Sequence, residues 1–365
     1  MLPKMPSLED AKTLNSSFNP AYTPVAVFIG GTSGVGEAMA EAFARYTQRK
    51  AHIILVGRNE YAAKDIIARF PKPEEGLGGK YESIACDVRL MANVRAACAE
   101  IRAKVDGRVN FLVLTAGYSS MVNVGLTEEG LDLRLAMRYY QRYVFIRELL
   151  PLMRSAKALG QDAHAMSVLG AGLGTPKRAL DLDNLGNTIK PRDGRVSVAM
   201  RSMVMSSGYT DAMLAPAQHF ASQNPDIAFT HIHPGIVNTA GMRASVDLDG
   251  VLAPLAWLIN CILPWLAVHP SICAEHMLSA LLPSPKTSAS GLFIRTKAGD
   301  ICSAHTFKER IDLGDNNETA SLIYLYKCRL TFKQCMLNGV AMKGYGASDL
   351  GVKRVLEHSE RATGY

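Results

Sequence analysis

Residues 25–39 read Val-Ala-Val-Phe-Ile-Gly-Gly-Thr-Ser-Gly-Val-Gly-Glu-Ala-Met. An apolar run passes straight into a turn with three spaced glycines, Gly30, Gly34 and Gly36, and leaves it as an alanine-rich helix. This order predicts a buried strand whose end is followed at once by a helix laid back over it. Glycine lets the backbone come close to an anion, and the opening turn of a helix presents unpaired N–H groups with partial positive charge. Gly30, Thr32, Ser33, Gly34, Val35 and Gly36 are therefore candidate binders of a dinucleotide pyrophosphate. A tight strand-to-helix turn without a ligand has the same outline, so the rest of the chain has to decide.

Strand-like and helix-like segments alternate onward from this point. The strands are expected at Val25–Ile29, His52–Val56, Tyr81–Cys86, Asn110–Leu114, Ala163–Met166, Ala228–His231 and Leu292–Arg295. The helices are expected at Gly34–Arg45, Glu60–Phe70, Met91–Lys104, Glu128–Leu150, Ser206–Ser222 and Ser271–Leu281. The strands are short, continuous apolar runs, as expected when both faces of a parallel sheet are covered. The predicted fold is α/β, a Rossmann-type doubly wound parallel sheet forming a single domain with substrate-lobe insertions. Residues 1–23 read as a polar surface arm, 24–299 as the dinucleotide-binding domain including a lobe at 236–285, and 300–365 as an extension. Within that extension Thr306–Tyr345 is expected to pad the domain or reach a second subunit. The stretch from there to Tyr365 reads as polar and mobile.

The composition excludes several classes. At 365 residues with 48% hydrophobic and 20% charged content, the chain has a globular balance. Its net charge of +7 is scattered, without a basic block interleaved with aromatics, so nucleic acid is not an expected partner. Seven cysteines, an odd number with no C-x-x-C pair, argue against a disulfide framework or a zinc site. No H-E-x-x-H occurs among the nine histidines, and no metal is expected. No apolar signal core opens the chain, which leads to a cytoplasmic expectation. Val251–Val268 is an uncharged run of eighteen residues. Pro254, Asn260 and Pro264 argue against a clean spanning helix there. An apolar lid over a lipophilic substrate is expected, with a membrane-surface contact through Trp257 and Trp265 as the alternative.

Further motifs come after the glycine turn in a fixed order: Val56-Gly57-Arg58-Asn59, Cys86-Asp87-Val88, Leu114-Thr115-Ala116-Gly117, Ser167-Val-Leu-Gly170 and Pro234-Gly235-Ile236-Val237-Asn238-Thr239. Together they resemble the short-chain dehydrogenase/reductase superfamily, in the longer form similar to retinol-dehydrogenase-like and fungal biosynthetic members. The resemblance covers about Pro24 to Leu282. It implies that Asp87 meets the adenine, that Ala116 and Gly117 leave room for the cofactor, and that Pro234, Val237 and Thr239 hold its nicotinamide end. Asp87 and Thr239 are also suited to cap helices. Arg58 stands where NAD-preferring sites carry an acid, so its guanidinium is suited to the 2′-phosphate of NADP, and NAD is the less favoured cofactor. A homodimer paired through helices beside the sheet is one arrangement the resemblance allows.

The catalytic pattern of that family is a Ser, an Asn, and a Tyr with its Lys in Y-x-x-x-K. Ser167 fits the first position, and Tyr209 fits the tyrosine by its spacing to the next strand. The lysine position holds Met213, and Arg138 aligns with the asparagine. An unperturbed tyrosine, with a pKa near ~10, is a poor base at neutral pH, so a cation beside it matters. Three readings compete. The chain is an NADP oxidoreductase interconverting a carbonyl and an alcohol on a lipophilic molecule, with Arg138 supplementing Tyr209 and Ser167. Alternatively it catalyses a non-redox isomerisation or cyclisation, or it binds cofactor without catalysis. Tyr139, Tyr140 and Tyr143 share the helix of Arg138 and read as core packing more readily than as substrate contacts. Tyr118 is expected to border the site, and Arg195 and Arg201 are weaker candidates for an acidic substrate.

Overall fold

A computed structural model describes residues 7–73, 78–117, 125–170, 182–183, 185–186, 214–245, 257, 260–262, 265, 267–283, 291–295 and 349–365. Its centre is a parallel sheet of β1 (Val25–Ile29), β2 (His52–Gly57), β3 (Lys80–Ala85), β4 (Phe111–Leu114), β5 (His164–Val168), β6 (Ala228–Ile232) and β7 (Gly291–Arg295). The strand order is β3-β2-β1-β4-β5-β6-β7. The order reverses between β1 and β4, and the crevice at the carboxyl ends of the strands there is where such sheets bind ligands. All seven expected strands are present, with ends shifted by no more than two residues.

The strands are apolar throughout because each face is buried against a different layer. Val25, Val27 and Ile29 enter one core with Ile54, Val56, Leu112 and Leu114. The alternate residues Ala26 and Phe28 enter a second core with Ile53, Leu55, Phe111 and Val113. Successive side chains of a strand point to opposite faces, so one strand feeds both cores. The first core is covered by α4 (Met91–Lys104) and α5 (Gln141–Ala158). The second is covered by α2 (Gly34–Tyr46) and the last domain helix, α8 (Pro270–Leu281). Between them lie α3 (Glu60–Arg69), α6 (Leu214–Gln223) and the short α7 (Ala240–Ser245).

Three expectations are corrected. The single helix expected over Glu128–Leu150 starts later and is interrupted: one turn at Leu133–Leu135 leads into a π-helical turn, Ala136–Tyr140, and only then into α5. The Asp132 carboxylate accepts the N–H groups of Arg134 and Leu135 at 3.0 and 2.9 Å, which sets the start. Glu129 is engaged elsewhere, accepting the N–H groups of Met91 and Ala92 at 2.6 and 2.8 Å and so capping α4.

The expected N-terminal arm contains α1 (Leu8–Ser16), which packs on α8. Buried Asn15 donates to the Glu275 carboxylate at 2.8 Å, and the Phe18 ring lies 5.8 Å from that of Phe111. The expected mobile C-terminus forms α9 (Asp349–Thr363), with Val355 buried against the first core. An amphipathic pattern in a polar-looking tail is sufficient for docking when a neighbouring helix offers hydroxyls as well as apolar surface. The expected helix at 206–222 is described from Leu214 onward, and Thr306–Tyr345 lies outside the described residues.

Candidate active site

A cleft of about 220 Å³ opens at the reversal point, lined among others by Gly30, Thr32, Ser33, Gly34, Val35, Gly36, Arg58, Ala116, Gly117 and Thr239. Ten residues singled out in the sequence thus share one wall or another of one space. The glycines are needed for close approach. Gly30 has φ +87°, and a side chain built on it would place Cβ 2.5 Å from the Ala116 amide nitrogen. Gly34 opens α2 with φ +61°. Its N-cap, Ser33, makes no side-chain bond to the helix. The first amides of α2 are therefore left for a ligand beside the cleft, the arrangement that suits a pyrophosphate.

Arg58 follows β2 on the rim, exposed, and borders a second shallow depression with Asn59, Glu60, Tyr61 and Lys64. Asp87 is half-buried and bound to Arg89, whose Nε and Nη2 donate to it at 2.8 and 2.5 Å. Burial pushes its carboxyl up, but Arg89 and Arg58 outweigh this and hold it below the ordinary range. Asp87 is not the N-cap of α4, which is Leu90. Thr239 lines the cleft, and its hydroxyl accepts the Met242 N–H at 3.1 Å to cap α7. Val237 is buried and paired with Val268, while the Pro234 carbonyl faces Cys273 Sγ at 3.5 Å. Pro234, Val237 and Asp87 do not line the cleft.

Next to the Ala116 wall of the cleft lies what the sequence reading missed. Ser167 lies on β5 opposite Leu114 of β4 and is buried. The guanidinium that reaches it is Arg142, on the first turn of α5, rather than Arg138. Arg142 Nη1 donates to Ser167 Oγ at 2.9 Å and to the Leu114 carbonyl at 2.5 Å. Its Nη2 donates to the carbonyls of Ala116 at 2.7 Å and Val168 at 3.2 Å. One cation thus joins the cleft wall to the serine. Burial, helped by the charge of Arg138, pushes the Arg142 pKa down to about 9, still protonated at neutral pH. Arg138 is half-buried in the π-helical turn, and burial and Arg134 both push its pKa down, against the pull of Asp132.

A signal for Arg142 exists in the sequence: Arg134, Arg138 and Arg142 recur every four residues on an otherwise apolar helix. The π-helical turn between them changes which one faces the sheet. Such a turn adds a residue and rotates the succeeding part of the helix by roughly 100°, and it is a frequent mark of functional sites.

Tyr139, Tyr140 and Tyr143 are core residues, as expected. The first two hydroxyls are bonded to Ser359 Oγ at 2.8 Å and His358 Nε2 at 2.6 Å. Tyr209, Met213, Tyr118, Arg195 and Arg201 lie outside the described residues, as does much of 251–268. In that stretch Trp257 and Trp265 are exposed. Among the described residues no helix is long and apolar enough to cross a membrane. Among them also, no three His, Cys, Asp or Glu residues are grouped to hold a metal ion.

Residues 24–160 match the short chain dehydrogenase family. Oxidoreductase andH of Emericella variicolor is 35% identical over 258 residues, 70% of this chain and 69% of that protein. Oxidoreductase AN1596 of Emericella nidulans is 31% identical over 235 residues, 64% of this chain and 65% of that protein. The chain therefore spans about two thirds of the length of these fungal relatives. Among solved structures, 3-ketoacyl-(acyl-carrier-protein) reductase from Brucella melitensis, complexed with NADH, shares the fold at a TM-score of 0.51 and 18% identity, covering 76% of this chain and 97% of that one. With a glycine cleft at the reversal of a parallel sheet and a buried serine tied to its wall through Arg142, this chain belongs to the short-chain dehydrogenase/reductase superfamily, an oxidoreductase family that binds nicotinamide cofactors.

Proposed function

We propose that the protein is an NADP-dependent oxidoreductase that interconverts a carbonyl and an alcohol on a lipophilic small molecule in specialised metabolism. The observation that carries this reading is that one guanidinium, Arg142, ties the wall of the glycine cleft at the Ala116 carbonyl to the buried Ser167 hydroxyl. The uncapped start of α2 and the close-packed Gly30 fit a pyrophosphate, and Arg58, which shares its depression with Lys64 and Glu60, fits a 2′-phosphate. Pro234, Val237 and Thr239 are assigned to the nicotinamide end, Ala116 and Gly117 to the floor, and Asp87 to the adenine side. When bound, the nicotinamide supplies or accepts the hydride.

The chain's own residues would handle the proton and the oxygen. Ser167 donates a hydrogen bond to the substrate oxygen, and Tyr209 exchanges the proton with it. The cations Arg138 and Arg142 add the positive potential that Met213 cannot supply, favouring the ionised tyrosine. The apolar run 251–268 is assigned as a lid over the substrate.

The test is absorbance at the nicotinamide band with NADPH and a panel of lipophilic ketones and alcohols. Substrate-dependent oxidation, abolished in Tyr209→Phe, is expected. Calorimetry that registers affinity for neither NADP nor NAD overturns the reading. The Met213 substitution favours one alternative, a non-redox isomerisation or cyclisation. Turnover without any absorbance change would establish that alternative.

A further inference from the structure

We propose that Arg142 is the positioning residue of the catalytic serine, holding Ser167 Oγ as an acceptor so that the serine's own proton is presented to the substrate oxygen. This deepens the oxidoreductase reading and rests on it for the identity of the oxygen. A hydroxyl carries one proton and two lone pairs. With Nη1 donating to Oγ at 2.9 Å, one lone pair is committed and the O–H must turn elsewhere.

The guanidinium itself is held in place. Its bonds to the Leu114, Ala116 and Val168 carbonyls anchor it to the ends of both strands that flank the site. Thermal wandering of the serine is restricted by the same contacts.

The chemistry of the contact set argues for more than a tie between strands. Arg142 is fully buried, and among the described residues every partner it has is a carbonyl or a hydroxyl, with no carboxylate. Its Nε is buried without a partner. Burying a charge without an opposite charge is costly, and a neutral amide could bridge carbonyls and a hydroxyl at much lower expense. What only a cation adds is a field at Ser167 Oγ. That field strengthens the serine as a hydrogen-bond donor and favours negative charge developing on an oxygen beside it.

The experiment replaces the hydroxyl with a titratable group, so that no substrate is needed. In Ser167→Cys, alkylation of residue 167 by iodoacetamide is followed against pH by peptide mass spectrometry. The expected thiolate pKa lies ~1–3 units below the free value of about 8.5. In Ser167→Cys with Arg142→Gln it returns to about 8.5 or above, and alkylation at neutral pH slows ~10-fold or more. Ser167→Cys with Arg142→Lys, which retains charge without the fork, falls between. A residue-167 thiol with an ordinary or raised pKa beside native Arg142 overturns the proposal, whether or not the Arg142 variants fold. A thiol that is never alkylated also overturns it, because the serine would then not face open space.

The second readout is kinetic. If Arg142 acts through the serine, Arg142→Lys lowers kcat with KM little changed, and it adds no loss in a Ser167→Ala background. Full additivity overturns the proposal. Absence of any NADPH oxidation by the native protein counts against the oxidoreductase reading alone, since the thiol titration still decides the role of Arg142.

Discussion

The two ends of the candidate site are built by different means. The end at β1, β2 and α2 relies on main-chain shape: a positive-φ glycine, an uncapped helix start and one exposed arginine at the rim. The end at β4, β5 and α5 relies on side chains, a buried guanidinium locked to three carbonyls and a serine. A backbone site is specified by residues adjacent in sequence. A side-chain site is assembled from segments about 25 residues apart, and its geometry depends on a distortion in one helix. The first end should fail through loss of ligand, the second through loss of rate.

The largest effect is expected at the first end. Gly30→Val introduces a side chain where 2.5 Å separates the Cβ position from the Ala116 nitrogen, at φ +87°. Dinucleotide affinity should fall at least ~100-fold, about 2.7 kcal/mol, by calorimetric titration. Unchanged affinity would break the contrast. Next, Ser167→Ala should lower kcat by ~100- to 1,000-fold with dinucleotide affinity nearly unchanged, in the range found for removing one donor to a developing oxyanion. An equal loss in cofactor binding would merge the two ends into one.

Arg58→Glu sharpens the comparison further. It should weaken NADP by ~10- to 100-fold and leave NAD within a few-fold, measured by paired titrations. The smallest effect belongs to the π-helical turn ahead of α5. Tyr139→Phe removes one bond to Ser359 and should lower stability by about 1 kcal/mol in urea, without altering dinucleotide affinity.

The same contrast explains how much could be read in advance. The strands and the cofactor loop were legible because burial on both faces writes continuous apolar runs and because a phosphate turn needs glycines at set places. Ser167 was legible through its motif. Arg142 was not, since Arg134, Arg138 and Arg142 are equivalent by spacing and only the π-helical turn separates them. Asp87 kept its place at a strand end, but its pairing with Arg89 was hidden because the pair forms across two residues of a tight turn. The terminal segments are polar in sequence yet docked, because their polar side chains find partners inside. Asn15 and Ser359 are buried and bonded, to Glu275 and to Tyr139.

The last helix has one more consequence. α9 fastens the hydroxyls of Tyr139 and Tyr140 and the guanidinium of Arg147, which bracket Arg142 on its own stretch of helix. It therefore acts as a splint on the distorted turn that aims the buried cation. Clipping the chain ahead of Asp349, far from the cleft in sequence, should slacken that aim before it disturbs the glycine loop. A worn tail would show itself as a sluggish enzyme that still grips its nucleotide.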